Sequence, residues 1–514
     1  MFKHLNEPKV GKIFRLLAFL MFFVLFGSSL VLTGENSMGF SDENIYLKRD
    51  SVLFNAAALL GAGLFFSFFG KFASFFREKW KRNLLLAVCC AIAAGISFYW
   101  VTNCGAGPVA DQAQVVAYAA DFNQGDFSGL QKGNYVAKYP QQLGLITFLR
   151  LLFLLFGEEN YFAFQVFSIL CVCILLIAGC MIVRELSRGD AGTELYYLFL
   201  SMTCFPMYAY TSFVYGDLVS VTFVFLAVWA LLSAFRKFRI WKLVGMGLSI
   251  GFAVMLRTNV LIVVIAMLIV VLVKLLVGRN RQALACGAAI LFGVFLFRSS
   301  VDALYADKRD KEAESIPAIC YIVMGLNDDN SHPGWYNSYG VELFEKNQFD
   351  AEATSRQAFA DLCSYAGVFA HDPLYMADFF ARKMNSQWNA PMYQGIAMND
   401  YLVAEQSPLI AEIYSREGFG ALLEEYMQLY QLLIYGSILF LLFSRGKSDE
   451  GIEGYTLLIG VFGGFLFSLM WEAKTRYVFP YFLMMLPYAA LGLRALTGWM
   501  KDFKLRLKRR RQEK

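Results

Sequence analysis

Two carboxylates and a set of cations stand beside long apolar runs in this 514-residue chain, where such groups are unusual. Asp111 closes GPVAD, shortly after an apolar run that ends near residue 101, and Asp217 opens another run after Tyr215-Gly216. Lys138-Tyr139-Pro140 precedes the apolar stretch 143–156, and Arg257-Thr258-Asn259 separates two apolar runs. MWEAKTRYVFPYF, residues 470–482, puts Glu472, Lys474, Arg476 and Tyr477 into one short turn. A carboxylate can take the proton of a hydroxyl as that hydroxyl becomes a nucleophile. Lysine holds a phosphate as a point charge and arginine as a planar fork. Cations so placed suit a phosphate at the membrane surface.

Each residue also has a plainer reading, and the sequence leaves both open. Asp111 suits the cap of the helix expected from Gln112 to Phe122. Lys138 suits contact with lipid headgroups. Glu472 and Arg476 could pair with each other. Asp217, Arg257 and Arg476 could simply mark the ends of spans. A charge at the bilayer centre costs about 2.5–3.5 kcal/mol on insertion scales, so such groups need partners or water.

The elements that must position these residues are set by composition. The chain is 58% hydrophobic and 17% charged, with 50 Phe and 27 Tyr. A soluble domain carries about 25% charged residues, so the expected fold class is an all-α polytopic membrane protein. Runs long enough to cross the hydrocarbon core fall at 16–33, 52–69, 84–101, 162–183, 194–214, 218–235, 240–256, 260–277, 283–300, 429–444, 455–471 and 477–496. That predicts twelve transmembrane helices and both termini on one side. The basic blocks 71–82, Arg184 with Arg188, 236–242, Arg279 with Arg281, Arg445 with Lys447, and the tail from Lys501 to Lys514 share one side. The positive-inside rule puts them, and both termini, in the cytoplasm. Arg150 interrupts the short run 143–156, which reads as an outer interfacial helix; a genuine crossing paired with a missed span is the alternative.

The expected organisation is N-terminal spans over 1–101, a first extracytoplasmic loop with interfacial helices over 102–161, a transmembrane core over 162–300, an extracytoplasmic domain over 301–428, C-terminal spans over 429–496 and a basic cytoplasmic tail over 497–514. All the candidate residues then face outward. The N-terminal run has no convincing cleavage site after Thr33 and reads as an uncleaved span. The net charge of +5 lies in blocks beside spans, which suits the inner leaflet rather than nucleic acid. Of ten cysteines, Cys104, Cys320 and Cys363 fall in outer segments, where a Cys320–Cys363 disulfide is open. Three histidines and no CxxC pattern give no zinc site. The absence of an Asn-x-Ser/Thr sequon is compatible with a bacterial plasma membrane.

In order and sidedness these motifs resemble the GT-C superfamily of polyprenyl-phosphate-sugar-dependent glycosyltransferases, in the branch of protein O-mannosyltransferase-like and aminoarabinose-transferase-like enzymes. Asp111 in VADQ matches the acidic residue of that branch's first outer loop, and Lys138-Tyr139-Pro140 the Lys/Tyr-Pro stretch that follows. Asp217 matches the acid that opens a later span, and Arg476-Tyr477 with Pro480 the Arg-Tyr pair of the last region. The likeness covers roughly residues 102–300 and 455–496. Gln112 stands where the family often has a second carboxylate, Gln141 where it has a second proline, and two spans precede the expected first one.

The resemblance implies a sugar donor on a polyprenyl phosphate and a glycan, lipid or protein acceptor. It implies Asp111 as base, with inversion at the anomeric carbon, and Asp217 orienting the acceptor or assisting a cation. Lys138, Tyr139, Arg257, Lys474, Arg476 and Tyr477 would bind the donor phosphate. A divalent cation is compatible with this pattern but not implied by it. A lipid-linked glycan ligase or polymerase, and a polytopic transporter or flippase, are the competing functions. Transporters often carry charged or broken helices at mid-membrane, whereas here the spans are apolar through their middles.

Overall fold

The computed structural model describes residues 7–37, 44–328, 332–399, 403–444 and 451–512. The basic pair Arg445 and Lys447 and the last two residues of the tail lie outside the described residues. The chain is a mostly helical integral membrane protein. Among the described residues ten helices are long and apolar enough to cross a bilayer: Glu7–Ser29, Val52–Arg77, Lys79–Asn103, Phe162–Leu186, Asp217–Arg236, Thr258–Leu276, Gln282–Tyr305, Phe419–Ser444, Ile452–Met470 and Thr475–Arg506. Ile240–Leu256 is an apolar helix of 17 residues, with the bounds the sequence predicts.

Two expected spans need correction. The run 194–214 is not one helix. It breaks into Ala191–Met202, Phe205–Ala209 and a 3-10 turn at Tyr210–Ser212. Pro206 is the cause, because it has no N–H to donate to the preceding turn and its ring crowds the carbonyl of Met202, so the helix restarts with proline in its first turn. The broken segment still runs the length of the bundle. Asp190 at its start pairs with Arg494 at 2.8 Å, and Ser212 at its end accepts from Trp100 at 3.3 Å. The first span runs from Glu7 to Ser29 rather than 16–33. The residues after it form an antiparallel hairpin, Leu32–Asn36 with Ile45–Arg49, in register Leu32 to Arg49. The pairing left open between Cys320 and Cys363 is not made; Cys320 is buried and Cys363 exposed, both as free thiols.

The stretch Pro140–Phe156 meets Ser128–Lys138 at a bend of 102°. Arg150 fits inside this apolar helix because every arm of its guanidinium is satisfied. It donates to Asn123 Oδ1 at 3.1 Å, the Tyr305 hydroxyl at 2.9 Å and the Phe122 carbonyl at 3.0 Å.

Between the spans Gln282–Tyr305 and Phe419–Ser444, shorter helices pack around small cores of their own, one around Cys320, Val323, Leu343 and Phe344 and another around Leu326, Phe369 and Phe379. The two longest of these helices begin at acidic caps: Asp350 accepts from Ala353 N and Asp372 from Tyr375 N.

Charge is segregated along the bundle. At one end Lys274 bridges Glu7 and Glu453, at 2.6 Å each, and Arg184 pairs with Glu194. The helices that leave this end arrive, after the length of a span, at the residues singled out in the sequence.

Candidate functional site

Asp111 is the first residue of the helix Asp111–Gln124, after Ala110 turns the chain at a φ of 48°. It is not the helix cap. Its carboxylate accepts instead from two tyrosines, Tyr135 at 2.9 Å and Tyr215 at 3.1 Å. Burial, reinforced by the neighbouring carboxylate, pushes the Tyr135 phenol upward. Burial also raises Tyr215, against the opposing influence of Arg476. Both hydroxyls therefore keep their protons and act as donors.

Gln112, standing where the resemblance places a second carboxylate, is a pin. It donates to Met398 O at 2.7 Å and Asn399 Oδ1 at 3.0 Å, and accepts from Val214 N at 2.8 Å. Three segments far apart in sequence are fixed together beside Asp111. A lone glutamine in a helical pattern gave no signal of this.

Asp217 opens its span and Arg257 follows the last residue of Ile240–Leu256, positions that suit an acid at a helix start and a base at a helix end. They form an ion pair at 2.9 Å. Gly216 allows the approach, since a Cβ there would lie 2.7 Å from Leu256 O. Arg476 stands beside them in the first turn of Thr475–Gln512, 2% exposed. Its guanidinium lies 3.9 Å from the centroid of the Tyr215 ring, while Nε and Nη1 have no hydrogen-bond partner. Lys474 faces Glu472 at 3.7 Å and the Tyr336 ring at 5.3 Å.

A cavity of about 1010 Å³ joins most of these groups. Asp111, Tyr139, Arg257, Lys474, Arg476 and Tyr477 line it, with Tyr215, Glu472 and the aromatic residues Tyr321, Trp335 and Tyr336. Two predicted residues stand apart. Asp217 lies behind Arg257, on a narrow crevice between spans that also touches Val221, Val224, Val263, Pro480 and Met484. Lys138 is not among the cavity-lining residues; its ammonium pairs with Glu345 at 3.2 Å. Among the described residues no three His, Cys, Asp or Glu side chains form a cation site.

One functional candidate escaped the sequence. Lys383 is fully buried, and its ammonium donates to the carbonyls of Leu469 at 2.9 Å, Trp471 at 2.8 Å and Gly325. Ala473 N donates to Gly334 O at 2.7 Å in the same knot. The strap 471–476, which carries Lys474 and Arg476, is thereby anchored to the outer helices. Burial draws Lys383 down to about 7, yet three carbonyl acceptors suit a cation with three protons.

Residues 2–359 match the family described as conserved hypothetical integral membrane protein. No curated protein matches the sequence. Two solved structures of the Archaeoglobus fulgidus oligosaccharyltransferase are similar. One, tethered to an acceptor peptide with the NVT sequon, is 12% identical with a TM-score of 0.41, over 81% of this chain and 50% of the other. The second, AglB with an inhibitory peptide and a dolichol-phosphate, is 13% identical with a TM-score of 0.41, over 85% and 52%. The chain spans about half the length of either. The family match covers well over half of the sequence, and the chain belongs to the conserved hypothetical integral membrane protein family.

Proposed function

We propose that this protein is a membrane glycosyltransferase of GT-C type that moves a sugar from a polyprenyl monophosphate to an acceptor hydroxyl on the extracytoplasmic face. The observation that carries the reading is Arg476: a buried guanidinium at the cavity, with two of its nitrogens, Nε and Nη1, unpartnered, one tyrosine away from a carboxylate. A buried cation with open donors is costly unless an anion completes it.

The charge balance favours one phosphate over a diphosphate. Asp217 offsets Arg257 and Glu472 offsets Lys474, which leaves Arg476 as the cation in surplus and Asp111 as the anion. The crevice beside Arg257 is apolar below that point, the surroundings a prenyl chain needs. In this reading Lys138, on Glu345, holds the outer domain instead of the donor.

In the transfer, the acceptor oxygen attacks the anomeric carbon opposite the phosphate. The acceptor O–H proton passes to Asp111. The bond from the anomeric carbon to the phosphate oxygen breaks, and polyprenyl phosphate leaves with the electron pair, inverting the configuration. The leaving phosphate gains charge as the bond breaks, so Arg476 and Arg257 bind the transition state more tightly than the ground state. Tyr135 and Tyr215 hold the two oxygens of Asp111 in place.

The test is transfer from polyprenyl-phosphate sugars bearing labelled hexose or pentose, with protein in nanodiscs and host envelope fractions as acceptor. Label is expected to leave the lipid phase for the acceptor with the intact protein and to remain in the lipid with Asp111→Asn. Release by neither protein, across the whole donor panel, overturns the reading.

A further inference from the structure

The cavity, at about 1010 Å³, stands at the top of the range of ligand pockets, about 300–1,000 Å³, room for two reactants, and much of its lining is aromatic. Its lining is of two kinds. Arg257, Arg476 and Asp111 bring charge. Rings supply much of the rest: Tyr139, Tyr321, Trp335, Tyr336 and Trp471. Tyr321 is layered on Trp471 at 5.0 Å with planes 9° apart, and Phe467 backs Trp471 at 4.9 Å. This stack fixes the wall before any ligand arrives. Tyr336 is 43% exposed, with the Glu472–Lys474 pair beneath it.

The charged pair among these rings is matched. Glu472 and Lys474 offset each other, and burial holds the imidazole of His332 below its ordinary value, with Arg382 adding to the effect. A charged acceptor would find no counter-charge in surplus there. A sugar ring presents polarised C–H bonds on its faces and hydroxyls at its edge. The electron-rich faces of fixed aromatic rings suit the former, and a carboxylate–ammonium pair suits the latter by charge-assisted hydrogen bonds.

From this we infer that the aromatic wall formed by Tyr139, Tyr321, Tyr336 and Trp471 is an acceptor subsite for an uncharged glycan, with Glu472 and Lys474 as its hydroxyl partners. Its role as acceptor site rests on the glycosyl-transfer reading; the binding of sugar does not. Bound there, a glycan lies in the same cavity as Asp111, which takes the proton of its hydroxyl.

The experiment titrates the full-length protein in nanodiscs with mannotriose and with triacetylchitotriose, reading tryptophan fluorescence and saturation-transfer NMR. A separate titration with decaprenyl phosphate reads the donor side. At least one oligosaccharide is expected to saturate. Tyr336→Ala, at an exposed position, should weaken that binding roughly three- to tenfold, and Tyr336→Phe should restore it with decaprenyl phosphate binding unchanged. No saturation by either oligosaccharide overturns the subsite, even when decaprenyl phosphate binds. Saturation that Tyr336→Ala and Trp471→Phe both leave unmoved overturns its location. Binding of a Ser/Thr-rich peptide that displaces the sugar overturns the ligand class. Saturation by sugar without any binding of decaprenyl phosphate supports the subsite and counts against the donor reading instead.

Discussion

Arg476 lies across the face of Tyr215, its guanidinium 3.9 Å from the ring centroid, while the hydroxyl of the same tyrosine holds Asp111 at 3.1 Å. One ring therefore spaces the cavity's surplus cation from its surplus anion. Without it the two could pair directly, and neither would be left for a ligand.

Removing the Tyr215 hydroxyl should separate two roles of that residue. Tyr215→Phe keeps the ring under Arg476 and deletes one hydrogen bond to Asp111. A hydrogen bond to a charged group contributes about 1.5–3 kcal/mol. We expect kcat to fall roughly tenfold or more with KM for donor nearly unchanged. Tyr215→Leu should raise KM as well. Steady-state kinetics distinguish the two; an equal effect of both variants on KM would contradict the division.

At Arg476 the comparison of interest is with lysine. Arg476→Gln should remove most affinity for decaprenyl phosphate, by about tenfold to a hundredfold for a charge-assisted pair. Arg476→Lys should recover only part, because a point charge cannot present two N–H groups in a plane. Titration in nanodiscs measures both, and full recovery by lysine would count against a forked contact.

Lys383 should leave a mark on stability. Its folded value of about 7 lies below the ordinary 10.5. Between those values the unfolded chain binds the extra proton, so stability rises with pH across that window. Below about pH 7 both states hold the proton and the cost of the buried cation is fully present. Lys383→Met should abolish the rise and, by leaving the carbonyls of Gly325, Leu469 and Trp471 without their donor, loosen residues 471–476. Thermal unfolding midpoints from pH 6 to 10, with hydrogen exchange over the strap, check this; a variant with the wild-type slope would exclude Lys383 as its source.

Cys363 offers a test of sidedness without an introduced residue. It is exposed on the helix Ala351–His371, and the expected topology puts that helix outside. A membrane-impermeant maleimide should label it in intact cells, with Cys363→Ser as the blank. Protection until the membrane is permeabilised would invert the topology and remove the extracytoplasmic site.

The Asp111 and Asp217 comparison tests the division between carboxylates. Asp111→Asn should lower transfer by about a hundredfold to ten-thousandfold. Asp217→Asn leaves Arg257 unneutralised and should instead change donor affinity. Donor titration beside single-turnover transfer separates the effects, and matching losses in both would fail the assignment.

The sequence by itself determined the membrane class and most of the spans, because hydropathy over some twenty residues is a local property. Val52–Phe69 and Ile240–Leu256 fall where their apolar runs predict. It also singled out Asp111, Arg257, Lys474 and Arg476, because ionisable groups beside apolar runs are costly enough to be conspicuous. Tertiary structure alone decided what those groups touch. Gln112 pins residues 214 and 398–399, Lys138 turns to Glu345, and Lys383 reaches carbonyls more than fifty residues away on either side. The hairpin at 32–49 also depended on context. Such contacts join segments remote in sequence, and their partners follow from how the helices pack, which no local pattern of residues encodes.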